Sequence, residues 1–264
     1  MVDSIDMVDS IKKMTDAIAD ILDGDLRCIR LFGSVVFDDF RFGWSDIDLI
    51  ALSGARITES QAQKLLTLRQ TLAEREPGDP YYRLFEGVIA NVDEYREKSC
   101  TRSVYWGTSG QRIVNRHMID VFSQFELSKY SRCVYGEDDR SIFSEPCRED
   151  MVNAVREHYE TIRKYAGQTD ERLYSCGWLL DIARCIYTLR YNDVTAKTQA
   201  GVWALENHIF VNEAPLRRTL EIRRDPLTFK NREDVKQWLT GLGPTVQEYA
   251  DVLEKELSCC TQTR

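Results

Sequence analysis

One stretch, residues 31–52, constrains this chain more than any other. It reads LFGSVVFDDFRFGWSDIDLIAL, with one apolar run that ends at Gly33-Ser34 and a second that begins at Asp46-Ile47-Asp48. The pattern predicts a strand, an irregular connection and a second strand. Successive side chains of a strand point to opposite faces, so Asp46 and Asp48 are expected to leave the same face. Two like charges held that close together repel each other unless a cation lies between them.

Two carboxylates on one strand face offer the hard oxygen ligands that Mg²⁺ prefers, while water and phosphate oxygens complete its coordination. Gly33 allows a close backbone approach, and Ser34 offers a hydroxyl and an amide to a phosphate. The alternative is that Asp46 and Asp48 are only acidic caps at a solvated strand start. Apolar residues crowd both sides of the pair, which disfavours that alternative. Asp46 and Asp48 are therefore predicted to bind a metal ion.

Gly33-Ser34, eleven intervening residues and then Asp46-Ile47-Asp48 resemble the signature of the nucleotidyltransferase superfamily, which includes DNA polymerase β and the antibiotic nucleotidyltransferases. The resemblance implies an α+β (mixed α/β) domain with a sheet and flanking helices. It also implies ATP as a substrate, with Mg²⁺ on Asp46 and Asp48.

Composition narrows the class of protein. A chain of 264 residues with 43% hydrophobic and 30% charged residues is typical of a soluble globular protein with two ordinary domains. The N-terminus MVDSIDMVDS lacks the pattern of a signal peptide, and no apolar run reaches the length of a membrane span. The eight cysteines are scattered, without a C-x-x-C pair and with only three histidines. We therefore expect a cytoplasmic protein with no membrane contact, no zinc site and no disulfide framework.

The net charge of −8 is unevenly distributed. Residues 1–145 contain 18 Lys and Arg against 25 Asp and Glu, whereas residues 146–264 contain 17 against 18. The field of an acidic domain disfavours nucleic acid and favours a polycationic small molecule. An acidic surface that serves only solubility is the alternative.

The remainder of the first domain alternates helices and strands. Apolar residues at helical spacing predict a helix that ends near Asp23-Gly24 and another that starts after Thr58 as its N-cap. Turn residues at 76–80 precede the stretch YYRLFEGVIANV, residues 81–92, which predicts a third strand. Residues 118–127 have helical character, and residues 133–135 predict a short strand.

Glu86 lies in the middle of that third strand, among apolar neighbours. A buried carboxylate without a partner is costly, so Glu86 should face either a partner or a site. A structural salt bridge is the alternative. Further along, residues 106–110, WGTSG, predict a flexible loop in which Trp106 lies near a substrate.

Helical periodicity takes over after Glu145-Pro146, which predicts a domain boundary with residues 1–146 before it and 147–264 after it. A helix from about Asp170 to Tyr191 has apolar residues on two faces and is expected to be the centre of a helical bundle. Its remaining stripe includes Asp181 and Arg184. An arginine on a buried helix needs an anionic partner, which either Asp181 or an ATP phosphate would supply.

The stretch DIARCIYTLRYNDVTAKTQAGVWALE, residues 181–206, resembles the C-terminal helical domain of the streptomycin/spectinomycin adenylyltransferases. The resemblance implies that Arg184 and Lys197 contact the triphosphate and that Glu86 is the third essential acid. A solvated lysine at a helix start is the alternative for Lys197. Asp170 and Asp181 are expected among the acidic residues of the antibiotic pocket.

These observations predict a nucleotidyltransferase domain and a helical bundle, with the active site in the cleft between them. Asp46 and Asp48 would hold Mg²⁺ and Glu86 would deprotonate the acceptor, while Gly33, Ser34, Arg184 and Lys197 would hold ATP. AMP would pass to a hydroxyl of an aminoglycoside or aminocyclitol antibiotic and give resistance. The alternatives are nucleotide transfer to another small molecule or a protein side chain, and a non-catalytic nucleotide-binding module. A monomer or weak homodimer is expected, and the acceptor, its hydroxyl and the nucleotide stay open.

Overall fold

The computed structural model describes residues 4–99, 101–107, 110–116 and 118–262. They form two compact units, one of Met1–Val36 with Asp46–Glu145 and one of Phe37–Ser45 with Pro146–Arg264. The sequence analysis placed residues 37–45 in the first domain. Their contacts instead group them with the second unit, because Asp39 is ion-paired with Arg223.

A mixed sheet forms the centre of the first unit. Its strands lie in the order β5-β4-β3-β2-β1-β6; β2 and β3 are parallel, and the other neighbours are antiparallel. This arrangement confirms the predicted α+β class. Within the described residues the six strands are β1 Leu26–Phe32, β2 Ile47–Ser53, β3 Phe85–Asn91, β4 Ser103–Gly107, β5 Gly110–Val114 and β6 Arg132–Gly136.

The parallel pairing of β2 with β3 positions the acidic side chains. Asp48 pairs with Glu86, so the two side chains leave neighbouring positions on the same face. Gly87, the next residue, has φ +142°, and a Cβ there would lie 1.7 Å from the Leu49 carbonyl oxygen. Only glycine lets the two backbones approach this closely, so Gly87 sets the spacing between Asp48 and Glu86.

Local sequence signals account for the helices of the first unit. Thr58 caps α2 in a capping box with Gln61, as the spacing predicted. The first helix ends where Asp23 and Gly24 take positive φ angles. The helices are α1 Ser4–Leu22, α2 Glu59–Arg75, α3 Val92–Arg96 and α4 Val121–Lys129.

The flexible loop predicted for residues 106–110 is contradicted at its three described residues. Trp106 and Gly107 end β4 and Gly110 begins β5, so these residues belong to a β-hairpin. Thr108 and Ser109 lie outside the described residues. Val104, Tyr105 and Trp106 are residue types that are enriched in strands, but the glycines that follow them obscured this signal.

The second unit consists of helices. Helix α6 is buried on most of its surface and packs against α5, α7, α8 and α11, as expected of a central helix. It begins at Tyr174, so Asp170 lies before the helix and not within it. The helices are α5 Arg148–Tyr165, α6 Tyr174–Tyr191, α7 Lys197–Glu206, α8 Ala214–Arg224, α9 Pro226–Phe229, α10 Glu233–Thr240 and α11 Gly243–Gln262.

None of the helices in the described ranges has the length and apolar character needed to cross a membrane.

The close approach of β3 to β2 predicts a specific stability effect. We expect Gly87→Ala to destabilise the protein by more than about 3 kcal/mol, because the new Cβ must displace the β2 backbone as well as accept a positive φ. Gly24→Ala is the matched control, since Gly24 also has a positive φ but no atom within 4 Å of its Cβ position. That variant should lose only about 1–2 kcal/mol. Urea unfolding measures both, and equal losses would contradict the proposed close contact.

Candidate active site

The Gly33-Ser34 turn lies against Asp46 and Asp48. Residues Gly33–Val35 form a short 3-10 helix after β1, and Gly33 has φ +67°. A Cβ on Gly33 would lie 2.2 Å from Oδ2 of Asp48, so only glycine fits against this carboxylate. The Ser34 hydroxyl donates to the Asp46 carbonyl oxygen over 3.4 Å. The structure thus brings together the two ends of the motif.

Glu86 lies half-buried beside these aspartates. Burial, together with the charge of Asp46, raises the pKa of Glu86 from its ordinary 4.5 to about 7, while Arg69 acts in the opposite direction. No ion pair in the described part of the first unit includes Glu86. The structural salt bridge considered from the sequence therefore has no support.

Arg69 is a residue that the sequence analysis missed. It lies on α2, is 8% exposed, and donates to the Phe85 carbonyl oxygen and to Oε1 of Gln111. Burial lowers its pKa, and the charges of Glu86 and Asp46 oppose that effect. Arg69 therefore places a buried positive charge where it acts on two of the predicted site carboxylates.

Trp106 has a different role from the one predicted. Its side chain is fully buried, its indole N–H donates to the Leu65 carbonyl oxygen, and its ring lies 5.6 Å from the Arg69 guanidinium carbon. A fully buried side chain has no surface to offer a substrate. Trp106 instead supports Arg69 by packing and a cation–π contact.

Glu126 on α4 is a second residue that was missed. It is 5% exposed, and its Oε2 accepts the Gly33 N–H over 3.0 Å. This amide is therefore already engaged by a carboxylate, and Ser34 is the residue of the turn that remains suited to a phosphate.

The oxygen donors of this site fit Mg²⁺. Asp48 and Glu86 lie on two adjacent strands, Asp46 lies immediately before β2, and the Gly33 turn leaves the Asp48 carboxylate room that a side chain would fill. In the ranges that the structure describes, no group of three or more His, Cys, Asp or Glu side chains is arranged as a complete metal site. Mg²⁺ takes one or two protein carboxylates plus phosphate oxygens and water, so a complete protein cage is not required.

A second group of predicted residues gathers in the helical unit. Asp181 is 4% exposed; its Oδ1 lies 3.0 Å from the Lys197 ammonium and 3.5 Å from Nη2 of Arg184. Burial raises the pKa of Asp181, but Lys197 and Arg184 more than offset this, so its pKa lies below the ordinary value. The structure thus shows Asp181 as the shared counter-ion of both cations.

Asp170 is engaged at the surface of the same unit. Its carboxylate accepts from Nε of Arg172 over 2.7 Å and from the Ser175 hydroxyl over 3.2 Å. Arg172 lines a cavity of about 510 Å³, which three cationic side chains and one acidic side chain border. The lining residues are Gly43, Trp44, Glu171, Arg172, Leu173, Tyr174, Lys230, Asn231 and Lys236.

Each unit therefore contains its own cluster of predicted residues. The first unit gathers Gly33, Ser34, Asp46, Asp48 and Glu86. The second gathers Asp181, Arg184 and Lys197. Asp170 is engaged separately, by Arg172. A carboxylate cluster suited to a divalent cation and a cation pair suited to phosphate are the two charge patterns that a nucleotidyltransferase requires.

Comparison with known proteins supports this class. Residues 141–255 match the family model of the aminoglycoside adenylyltransferase C-terminal domain. The structure resembles the crystal structure of spectinomycin adenyltransferase AAD(9) from Enterococcus faecialis with ATP and spectinomycin. The TM-score is 0.66 and the identity 16%, over 94% of this chain and 99% of that one. A search of curated proteins finds no match.

The structure has the fold of this spectinomycin adenyltransferase, with a mixed sheet in the first unit and helices in the second. Residues 141–255, which make up less than half of the chain, are similar to the C-terminal domain of the aminoglycoside adenylyltransferases, the family that the sequence motifs resemble.

The environment of Glu86 predicts a pH-dependent stability in the absence of divalent metal. The folded protein holds a proton on Glu86 up to about pH 7, whereas the unfolded chain releases it near pH 4.5. Glu86 therefore lowers the free energy of unfolding progressively as the pH rises through this window.

Glu86→Gln removes this titration. In EDTA, the free energy of unfolding of the variant should rise relative to that of the wild type as the pH increases from 4.5 to 7. Above pH 7 the difference between the two free energies should stay constant. Urea unfolding at several pH values measures the difference. An offset that is the same at every pH would contradict the raised pKa.

Proposed function

We propose that this protein transfers AMP from Mg·ATP to a hydroxyl group of an aminocyclitol or aminoglycoside antibiotic and releases pyrophosphate. The observation that carries the proposal is the Asp48–Glu86 pairing across β2 and β3, with Asp46 acting on Glu86. A module that only binds nucleotide has no need of three carboxylates on one face. The match of residues 141–255 to the aminoglycoside adenylyltransferase C-terminal domain and the ATP and spectinomycin in the similar AAD(9) structure support the choice of substrates.

Asp46 and Asp48 would hold Mg²⁺, which when bound neutralises phosphate charge and orients the reacting groups. Ser34 would donate its hydroxyl to a phosphate oxygen. Gly33 leaves space at the Asp48 carboxylate, since any side chain would collide with it. The residues of the turn thus bind and orient the triphosphate.

Glu86 would accept the proton of the acceptor hydroxyl as that hydroxyl attacks the α-phosphorus. Its position opposite Asp48 places a carboxylate beside the predicted metal ligands. The charge of Arg69 acts on Glu86 and Asp46 and would keep Glu86 available as a carboxylate. General base catalysis of this kind contributes about 10²- to 10⁴-fold to the rate.

Arg184 and Lys197 would contact the triphosphate from the helical unit. Both side chains remain partly exposed, at 22% and 28%, although each contacts Asp181. The two cations share one carboxylate, so the trio keeps a net positive charge that a phosphate would neutralise. Asp181 would therefore act on the cations and not on the antibiotic, in contrast to the prediction from the sequence.

Two observations bear on the charge of the acceptor, and they favour different kinds of molecule. The excess of acidic residues in 1–145 favours a polycation. The cavity of the helical unit has a mixed lining, in which Arg172 is paired with Asp170 and Lys236 with Glu233. A panel of acceptors with different charges therefore discriminates better than one antibiotic.

The test is pyrophosphate release from Mg·ATP with spectinomycin, streptomycin, other aminoglycosides and uncharged hydroxyl compounds. We expect release that depends on an aminocyclitol or aminoglycoside and is abolished in Asp48→Asn. Release that is the same with and without any antibiotic, or release that needs a protein acceptor, would refute the proposal.

Glu86→Gln separates a base from a metal ligand. The amide keeps the size of the side chain but accepts no proton, so turnover should fall about 10²- to 10⁴-fold. Mg·ATP affinity, measured by calorimetry, should stay within a few fold of wild type.

Asp46→Asn and Asp48→Asn are the matched comparisons, and both should lose metal-dependent ATP binding. Normal turnover by Glu86→Gln, or a loss of ATP binding as complete as in the aspartate variants, would show that Glu86 is not the base.

A further inference from the structure

Helix α7 begins without a cap from its own sequence. Its N-cap residue is Ala196, which has no side-chain acceptor, and its first turn contains no acidic residue. The first amides of a helix have no partner within the helix and need an acceptor from elsewhere. Oδ2 of Asp39 accepts the N–H of Thr198 over 3.2 Å, although the two residues are 159 positions apart in the sequence. A distant residue thus caps this helix.

Asp39 is also held by a buried arginine. Nη2 of Arg223 lies 2.7 Å from Oδ2 of Asp39 and also donates to the Asp39 carbonyl oxygen, while Nε donates to the Thr198 hydroxyl over 3.0 Å. The Asp39 and Arg223 side chains are 1% and 3% exposed. Asp39, Thr198 and Arg223 therefore form a closed set of contacts, which we call the Asp39 latch.

The latch fixes the segment 37–45 on the helical unit. The Trp44 ring lies 5.3 Å from the Arg223 guanidinium carbon, and Gly43 approaches α9 so closely that a Cβ would lie 2.7 Å from Cδ2 of Leu227. Both ends of the segment therefore contact the same unit.

The buried pair is not arranged for stability alone. Nη1 of Arg223 makes no hydrogen bond with any described residue, and Oδ1 of Asp39 makes none either, although it lies 3.6 Å from Nη2 of the partly exposed Arg41. Burying an ion pair with unsatisfied atoms contributes little stability compared with apolar side chains in the same space. A positional role accounts for the pair better.

The elements joined by the latch carry the proposed nucleotide ligands. Segment 37–45 connects Ser34 to Asp46, the two ends of the motif, and α7 starts with Lys197, immediately before Thr198. We propose that Asp39 is a positioning residue for nucleotide binding, which caps α7 at Lys197 and fixes the motif connection through Arg223. The inference rests on the proposed function for the phosphate-binding role of Lys197.

The test removes both charges together, in Asp39→Ala with Arg223→Met, because replacing both partners of a buried ion pair usually preserves the fold. We expect a melting temperature near that of wild type, a dissociation constant for Mg·ATP about tenfold higher, and an acceptor KM at saturating ATP that is unchanged. Hydrogen exchange at the Thr198 amide should become faster, which reports the lost cap without any catalytic step.

The matched control is Arg163→Met with Asp251→Ala, which removes an ion pair between α5 and α11 in the same unit. It should keep wild-type Mg·ATP affinity and Thr198 exchange. Should the double variant fail to fold, Asp39→Asn keeps an acceptor for Thr198 and is measured in the same way, with a smaller loss of ATP affinity expected. Wild-type Mg·ATP affinity in a folded latch variant would overturn the inference.

The outcomes also separate this inference from the proposed function. A wild-type protein that binds Mg·ATP but modifies no antibiotic would refute the proposed acceptor, while weaker ATP binding by the latch variant would still support the latch. A wild-type protein that does not bind Mg·ATP would overturn both.

Discussion

Repulsion among carboxylates is the constraint on which the first unit depends. Asp48 and Glu86 lie on two adjacent parallel strands and Asp46 lies just before the first of them, so ionising all three carboxyl groups costs free energy in the absence of a cation. Backbone geometry maintains it, since Gly33 and Gly87 occupy places where no other residue fits. The sheet therefore holds the charges close together and leaves their neutralisation to a ligand.

The helical unit contains the opposite charge pattern. Arg184 and Lys197 both contact the buried Asp181, so two cations share one counter-ion. In the first unit, the charge of Arg69 acts on both Glu86 and Asp46. Each of these two clusters thus has a surplus of one charge, only partly compensated by a buried residue of the other sign. Such partial compensation lets a folded protein keep a site ready for an ionic ligand.

Structural features that depend on residues close together in the sequence were predicted correctly. The N-cap at Thr58 and the end of α1 at Asp23 were predicted because their signals lie within a few positions. The grouping of Asp46, Asp48 and Glu86 was also expected, from strand alternation and family resemblance. The hairpin at Trp106 was not, because the glycines at 107 and 110, between its two short strands, also occur in loops.

Contacts between distant residues could not be predicted. Arg69 lies on the same face of α2 as Leu65 and Leu72, and this was the one available signal that it is buried. No sequence signal indicated the contact of Glu126, because its partner Gly33 lies 93 positions away. For the same reason no local signal indicated that residues 37–45 belong with the helices.

The separation between Asp39 and Arg223 has a consequence for the order in which the chain folds. Arg223 is synthesised 184 residues after Asp39, so the ribosome completes nearly all of the first unit before the partner of this aspartate exists. Contacts of such high sequence separation form late, because a long loop must close before they contribute. The connection between the two halves of the motif should therefore stay solvated while the sheet around it is already paired. In a nascent chain, the segment nearest the proposed nucleotide site would then be among the last parts of the protein to become ordered.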